Sequence, residues 1–121
     1  MIFMSDLRTS RGLMARVTDQ ETIGRRVRAA RRVAGLRQHD LAAACHVTRN
    51  AVTNWETGTK RLGLSQAASL LPLLRVTLDW LYLGDDAALP WVQREALAAE
   101  MARDDGTGGP VDDATFSREA A

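Results

Sequence analysis

Apolar positions between residues 19 and 103 recur every three or four residues, which is the spacing of short amphipathic helices and not the alternation of strands. The first stripe is the clearest, and its members are Ile23, Val27, Ala30 and Ala34. Thr18 and Glu21 have the spacing of a capping box, which predicts that the first helix starts at Asp19. Gly35 supplies a left-handed stop after the last apolar position.

Five further helical segments follow. They are predicted at Gln38 to Cys45, from a Thr48 cap to about Glu56, at Leu64 to Leu74, at Leu78 to Leu83 after a Thr77 cap, and from Pro90 to about Arg103. The fourth helix is apolar nearly all round, which predicts deep packing, and Pro72 predicts a kink or an early end. The sixth carries Trp91, Val92 and Leu97, and either packs back on the core or forms a dimer seam.

Residues 38–57 carry the pattern of two short helices that cross through a tight turn. Ala42 is small where the two backbones must approach, and His46 stands where the turn needs a positive φ. Thr48 can cap the second of these helices. Apolar side chains from both helices fill the junction, namely Leu41, Cys45, Val47, Val52 and Trp55. This combination predicts a helix-turn-helix.

The chain resembles the phage-repressor-like (Cro-type, XRE) helix-turn-helix DNA-binding proteins from Ile23 to Gly84. The motifs that carry the resemblance are IGRRVRAAR, GLRQHDLA, VTRNAVTNWETG and TLDWLYLGD. The resemblance implies an all-α fold, a five-helix lambda-repressor-like domain that binds operator DNA, usually as a homodimer, here with an additional C-terminal helix. It also implies that Leu78, Trp80 and Leu81 fill the core. The chain departs from the family pattern at Arg37, His46 and Leu62.

The third helix is expected to read DNA bases. With Val52 and Trp55 turned inward, its outward side chains are Thr48, Arg49, Asn50, Thr53 and Asn54. Arginine can donate two hydrogen bonds to guanine, asparagine can pair with adenine, and the threonine methyl can contact thymine. The alternative is an ordinary solubilising face. Such a face usually carries Glu and Lys, whereas Arg49 is the only charge here.

Phosphate contacts are expected from the residues that flank this surface, Arg37, Gln38, Thr59, Lys60 and Arg61. The resemblance implies that Gln38 both contacts a phosphate and braces the recognition helix. Phosphate contacts set the register and the affinity without reading sequence. A different expectation holds for the arginines of the first helix, Arg26, Arg28, Arg31 and Arg32, which are interpreted as a solvated face.

The formal net charge is only +1, but the signs are separated along the chain. Residues 1–40 hold nine arginines against four acids, and residues 41–75 hold four basic residues against one acid. Residues 76–121 hold three arginines against ten acids. A basic front and an acidic back allow one surface to face a polyanion.

The 121 residues give little support for a membrane protein, a secreted protein, a disulfide-bonded protein or a zinc protein. No apolar run approaches the ~20 residues of a membrane span, and Asp6, Arg8 and Arg11 interrupt any signal-peptide core. The lone Cys45 excludes an intrachain disulfide framework, and the two histidines leave no zinc cluster. We therefore expect a cytoplasmic protein with no cofactor, no metal and no enzymatic activity.

The predicted organisation has four parts. They are a flexible N-terminal arm at 1–18, the helix-turn-helix domain at 19–84, a C-terminal helix at 85–103 that is a candidate for dimerisation, and a disordered tail at 104–121. The predicted function is a sequence-specific transcriptional regulator, a repressor that binds a near-palindromic operator as a homodimer. Two alternatives stay open: a DNA-binding antitoxin whose acidic C-terminal stretch binds a toxin, and a protein-interaction module that has lost DNA binding.

Overall fold

The computed structural model describes residues 18–107, and the regular elements in this range are all helical. The helices are α1 (Gln20–Val33), α2 (Gln38–Cys45), α3 (Arg49–Thr57), α4 (Leu64–Leu74), α5 (Asp79–Leu83) and α6 (Trp91–Thr107). This arrangement confirms the predicted all-α fold, with a helix-turn-helix and an added C-terminal helix. The expectations for residues 1–17 and 108–121 lie outside the described residues.

The N-terminus of α1 lies one residue later than predicted. Asp19 is the capping residue, and its Oδ1 accepts a hydrogen bond from the Thr22 backbone N–H at 2.7 Å. The predicted capping box that starts at Thr18 is therefore wrong, because the Asp19 carboxylate satisfies the free N–H instead. That hydrogen bond also lowers the pKa of Asp19. At the other end Gly35 has a φ of 72°, as predicted for the stop.

The helix-turn-helix forms from local signals that the sequence predicted. α2 ends at His46, which has a φ of 57° and a ψ of 43°, so a non-glycine residue occupies the left-handed turn position. Thr48 caps α3 through its Oγ1, which accepts from the Ala51 N–H at 3.1 Å. At the start of α2 the side chain of Asp40 accepts from the Arg37 backbone N–H at 2.8 Å. This bond supplies part of the cap that the arginine itself cannot give.

The core lies where α1, α2, α3 and α4 meet and continues under α5 and α6. Its largest buried apolar side chains are Ile23, Val27, Leu41, Val52, Leu70, Leu74, Leu81 and Leu97. Trp80 and Leu81 fill the core as expected, but Leu78 does not, since 37% of it is exposed. α5 is a π-helical turn, and Leu78 is the residue before it, outside the face that buries Trp80 and Leu81.

α4 buries one face and not its whole circumference. Ala67, Leu70 and Leu74 are buried, whereas Leu64 is 65% exposed. The expectation of deep packing all round is therefore wrong, because the neighbouring helices cover α4 from one side only. An early end at Pro72 is also wrong, since the helix continues to Leu74 before Arg75 closes it with a φ of 59°.

α6 packs back against α1 and leaves its first turn in solvent. Leu97 and Leu89 are buried, and Gln93 Nε2 donates to the Arg75 carbonyl at 2.7 Å. Trp91 and Val92 are 63% and 69% exposed. The helix runs to Thr107, four residues beyond the expected end. Within residues 18–107, no helix combines the length and the apolar character that a membrane span requires.

Candidate nucleic-acid interface

One side of α3 faces solvent and carries all five predicted base-reading residues. Thr48, Arg49 and Asn50 are exposed, while Thr53 and Asn54 are partly exposed. The opposite side buries Val52 and Trp55 in the core. The five polar side chains are therefore displayed together on a helix that is fixed from beneath, and no other segment of the described chain covers them.

Gln38 connects α2 to α3 from a buried position. Its Oε1 accepts hydrogen bonds from Arg49 Nε at 3.3 Å and from Thr53 Oγ1 at 3.1 Å. Its Nε2 donates to Glu56 Oε1 at 3.0 Å. The side chain thus orients two of the candidate base-reading residues, which is the bracing that the family resemblance implies. A phosphate contact by Gln38 stays a prediction.

Glu56 is a buried carboxylate that sequence reasoning did not single out. It is 2% exposed, and Arg31 forms a bidentate pair with it, Nε to Oε2 at 2.7 Å and Nη2 to Oε1 at 3.2 Å. Arg28 Nε lies 3.7 Å from Oε1. A buried charge is tolerated when such partners surround it. The only sequence signal was that Glu56 is the sole acid among residues 41–75.

The expected solvated face of arginines on α1 is wrong for two of its four members. Arg26 and Arg31 are only 5% and 3% exposed. Arg26 Nη1 donates to the Leu81 carbonyl at 3.0 Å, and burial lowers the pKa of this guanidinium. Arg28 and Arg32 are partly exposed and are paired with acids of α6. These arginines are buried or paired because α3, α5 and α6 enclose most of α1 in the tertiary structure.

The predicted phosphate contacts lie at the margins of α3, apart from the buried Gln38. Arg37 is exposed at the start of α2, and Lys60 is exposed in the loop after α3. Backbone and hydroxyl bonds hold this loop against α3, with Lys60 N donating to the Asn54 carbonyl at 3.0 Å and the Thr57 and Thr59 hydroxyls 2.9 Å apart.

Arg61 and Tyr82 fix the far end of the same loop. Arg61 Nη1 donates to the Thr18 carbonyl at 3.2 Å, in front of α1. The Tyr82 hydroxyl donates to the Leu62 carbonyl at 3.0 Å. Burial raises the pKa of Tyr82, although the charge of Arg61 acts in the opposite direction, so the phenol keeps the proton that it donates. The loop therefore presents its basic side chains from a defined backbone.

A cleft of about 230 Å³ opens among side chains of α1, α2 and α3, beside the candidate base-reading residues. Its lining comes from both helices and from α2, and consists of Arg28, Arg31, Arg32, Gln38, Arg49, Thr53, Glu56 and Thr57. Four guanidinium groups against one carboxylate give the cleft a positive balance. We call it the arginine cleft.

Within residues 18–107 the structure shows neither a metal-binding cluster nor an activated thiol. No group of three His, Cys, Asp or Glu residues there could hold a metal ion. Cys45 is partly buried, and its Sγ lies 3.6 Å from the Gln66 carbonyl. Burial raises the pKa of this thiol, so at neutral pH it is protonated and a weak nucleophile.

Comparison with known protein families agrees with this geometry. The family model described as Helix-turn-helix matches residues 27–81, from within α1 to within α5. Searches of curated proteins and of solved structures gave no significant match. The match covers a little less than half of the 121 residues, and it supports an XRE-type helix-turn-helix domain of the DNA-binding kind at residues 27–81.

Proposed function

We propose that the protein is a sequence-specific transcriptional repressor that acts in the cytoplasm by occupying a near-palindromic operator as a homodimer. The observation that carries the proposal is the exposed side of α3, where Thr48, Arg49 and Asn50 stand in solvent above a buried Val52 and Trp55. An α-helix with this display fits the major groove of B-form DNA.

Base reading is assigned to the five residues on that side, Thr48, Arg49, Asn50, Thr53 and Asn54. Arg49 is the strongest candidate, because Gln38 Oε1 holds its Nε at 3.3 Å and so restricts the guanidinium before DNA arrives. Restricting a side chain in advance lowers the entropic cost of binding. Arg49 would read guanine and Asn50 adenine, and each good bidentate contact discriminates by ~1–3 kcal/mol.

Backbone contacts are assigned to the residues at the margins, Arg37, Gln38, Thr59, Lys60 and Arg61. Three of them are cationic and exposed, and the bonds of the loop after α3 keep Lys60 close to Asn54. These contacts would place α3 in the groove and supply the part of the affinity that does not depend on sequence.

Dimerisation supplies the second half-site. Two copies would place their recognition helices about 34–36 Å apart on one face of the DNA, so the operator would be a near-palindrome. The exposed first turn of α6, with Trp91 and Val92, is the candidate contact between copies.

An in vitro selection of bound duplexes tests the proposal. The wild-type chain should enrich a two-fold symmetric site, Arg49→Ala should lose the preference at one base position of each half-site, and Lys60→Ala should weaken all sequences alike. Light scattering on the same samples gives the oligomeric state. Failure to enrich any sequence, or an unchanged preference with Arg49→Ala, would contradict the assignment.

A further inference from the structure

Two ion pairs join the C-terminal half of α6 to α1. Arg28 Nη1 lies 3.3 Å from Asp104 Oδ1, and Arg32 Nη1 lies 3.6 Å from Glu100 Oε2. We call these two carboxylates the acidic pair. They are well shielded, since 8% of the Asp104 side chain and 13% of the Glu100 side chain are exposed. Glu100 also pairs with Arg103 of α6, whose Nη1 lies 3.0 Å from its Oε1, so α1 shares this carboxylate with α6 itself.

The same two arginines belong to the surface beside the recognition helix. Arg28 and Arg32 line the arginine cleft together with Arg49 and Thr53, and Arg28 Nη2 donates to the Glu56 carbonyl of α3 at 3.4 Å. DNA that lies across the exposed side of α3 brings its phosphates close to this cleft. Phosphate and carboxylate bind guanidinium groups with the same geometry, so they compete there.

Contacts other than the acidic pair also hold α6 in place. Leu97 and Leu89 are buried beneath this helix, and Gln93 bonds to the Arg75 carbonyl at its N-terminal end. Burial of apolar surface stabilises the docking of α6 in addition to the two ion pairs. The acidic pair also has a second consequence, because its arginines lie beside the recognition helix.

We propose that Arg28 and Arg32 form an additional phosphate-binding site for the DNA backbone, which the acidic pair occupies in the free protein. When DNA binds, a phosphate replaces each carboxylate at its arginine. α6 then limits the affinity for DNA without contacting a base. This inference rests on the proposed DNA binding and adds to it a control by intramolecular competition.

The test compares the full-length wild type with the Glu100→Gln/Asp104→Asn variant on a duplex from the selection. Neutralising the acidic pair should tighten binding by roughly tenfold at ~50 mM salt, and the gain should shrink toward ~200 mM because salt weakens phosphate contacts. The matched control is Asp86→Asn/Glu95→Gln, which removes two exposed charges that lie at a separate surface depression. The control should change binding by less than about threefold, since only long-range charge acts.

A second measurement does not depend on the fold of the neutralised variant. Arg28→Gln/Arg32→Gln should reduce the slope of log Kd against log salt by about 1.8 per bound copy, and so by about 3.6 for a homodimer, because each lost phosphate contact removes about 0.9. A purely structural role of these arginines would change Kd and leave that slope unaltered. Circular dichroism and thermal unfolding of each variant report whether α6 stays helical and docked.

The results distinguish failure of the additional phosphate-binding site from failure of the proposed DNA binding. If the wild type binds its operator but the neutralised variant matches the control, or the arginine variant keeps the full salt slope, the additional site is wrong and the DNA-binding function stands. If the wild type selects no DNA, the proposed function fails, and the additional site fails with it.

Discussion

Single carboxylates have very different roles in this chain. Asp19 is a partly exposed helix cap, whereas Glu56 is a nearly inaccessible partner of arginine and glutamine side chains. Both lie within the helix-turn-helix domain, Asp19 at the start of α1 and Glu56 in the lining of the arginine cleft. Unfolding in the absence of DNA measures the effect of each carboxylate on stability.

Replacing Asp19 with alanine should destabilise the fold by about 1 kcal/mol at neutral pH, because the Thr22 N–H loses its acceptor. The folded-state pKa of Asp19 is lowered. The stability that its carboxylate contributes is therefore fully present above the unfolded-state pKa of about 3.9, and it is lost as the pH falls through the lower folded-state pKa. Urea unfolding of both chains between pH 7 and pH 2 should show the difference shrink below about pH 4. A difference that grew with acidity would contradict the capping role.

Replacing Glu56 with glutamine should cost about 3–5 kcal/mol, because Arg31 would stay buried without its counter-charge. Glu95→Gln is the control, since that carboxylate is exposed, and its effect should lie within about 0.5 kcal/mol. Denaturant midpoints of the two variants check the expectation. Equal midpoints would show that the buried pair contributes nothing to folding.

The sequence predicted residue conformations that depend on neighbouring positions, but it did not predict pairings between residues far apart in the chain. The Thr48 cap and the left-handed His46 depend on neighbours within a few positions, and both are confirmed. The pairing of Arg31 with Glu56 joins residues 25 apart, so no local pattern could reveal it. The burial of Arg26 has the same origin, because its acceptor is the distant Leu81 carbonyl.

At the scale of helices, α1 and α3 are in tight contact at Gly24. A Cβ on Gly24 would lie 2.1 Å from the Trp55 carbonyl oxygen and 2.8 Å from that of Glu56. Both atoms belong to the backbone of the recognition helix and cannot rotate away. Gly24 therefore allows α3 to sit directly on α1, and the sequence pattern, which placed Ala42 at the tight contact, did not identify this second one.

Gly24→Ala should destabilise the fold by about 1–3 kcal/mol, although alanine alone would favour the helix, because α1 and α3 must move apart. Gly63→Ala is the matched control, since its Cβ would meet only the flexible end of the Gln66 side chain. Thermal unfolding of both variants measures the difference. A stabilised Gly24→Ala variant would show that the two helices can separate at no cost.

The bounds of helices were easier to predict than their packing. α2 and α4 have the predicted limits, which follow from the apolar spacing and, for α2, from the left-handed turn residue His46. The half-exposed α4 and the π-helical α5 depend on which neighbours cover them, which composition does not show. The candidate site was predictable as a set of residues on one helix, but its connection to α1 and α6 was not.

For the whole molecule, the decisive property is the separation of charge between the helix-turn-helix and the C-terminal part. The cations at the margins of α3 are Arg37, Lys60 and Arg61, while ten acids lie among residues 76–121. The three cations supply the part of the proposed DNA affinity that weakens with salt.

The salt dependence of operator binding should therefore report the number of copies that bind. Each copy has three cations at the margins of α3, and each neutralised phosphate adds about 0.9 to the slope of log Kd against log salt. The slope is therefore about 5 when two copies bind and about 3 when a single copy binds. Contacts at Arg28 and Arg32 would raise these values to about 9 and about 4.5, so the number of copies is read from the Arg28→Gln/Arg32→Gln variant, which lacks those contacts. Fluorescence anisotropy over a range of salt concentrations measures the slope, and a value near zero would contradict DNA binding through these residues.

The positions of the three tryptophans give the molecule its own optical reporter. Trp55 and Trp80 are 7% and 6% exposed, whereas Trp91 is 63% exposed. A soluble quencher such as acrylamide should therefore extinguish emission from Trp91 first, and emission from the interior pair only on unfolding. Shielding of Trp91 would mark the moment when a second copy covers the start of α6, with no dye attached to the chain.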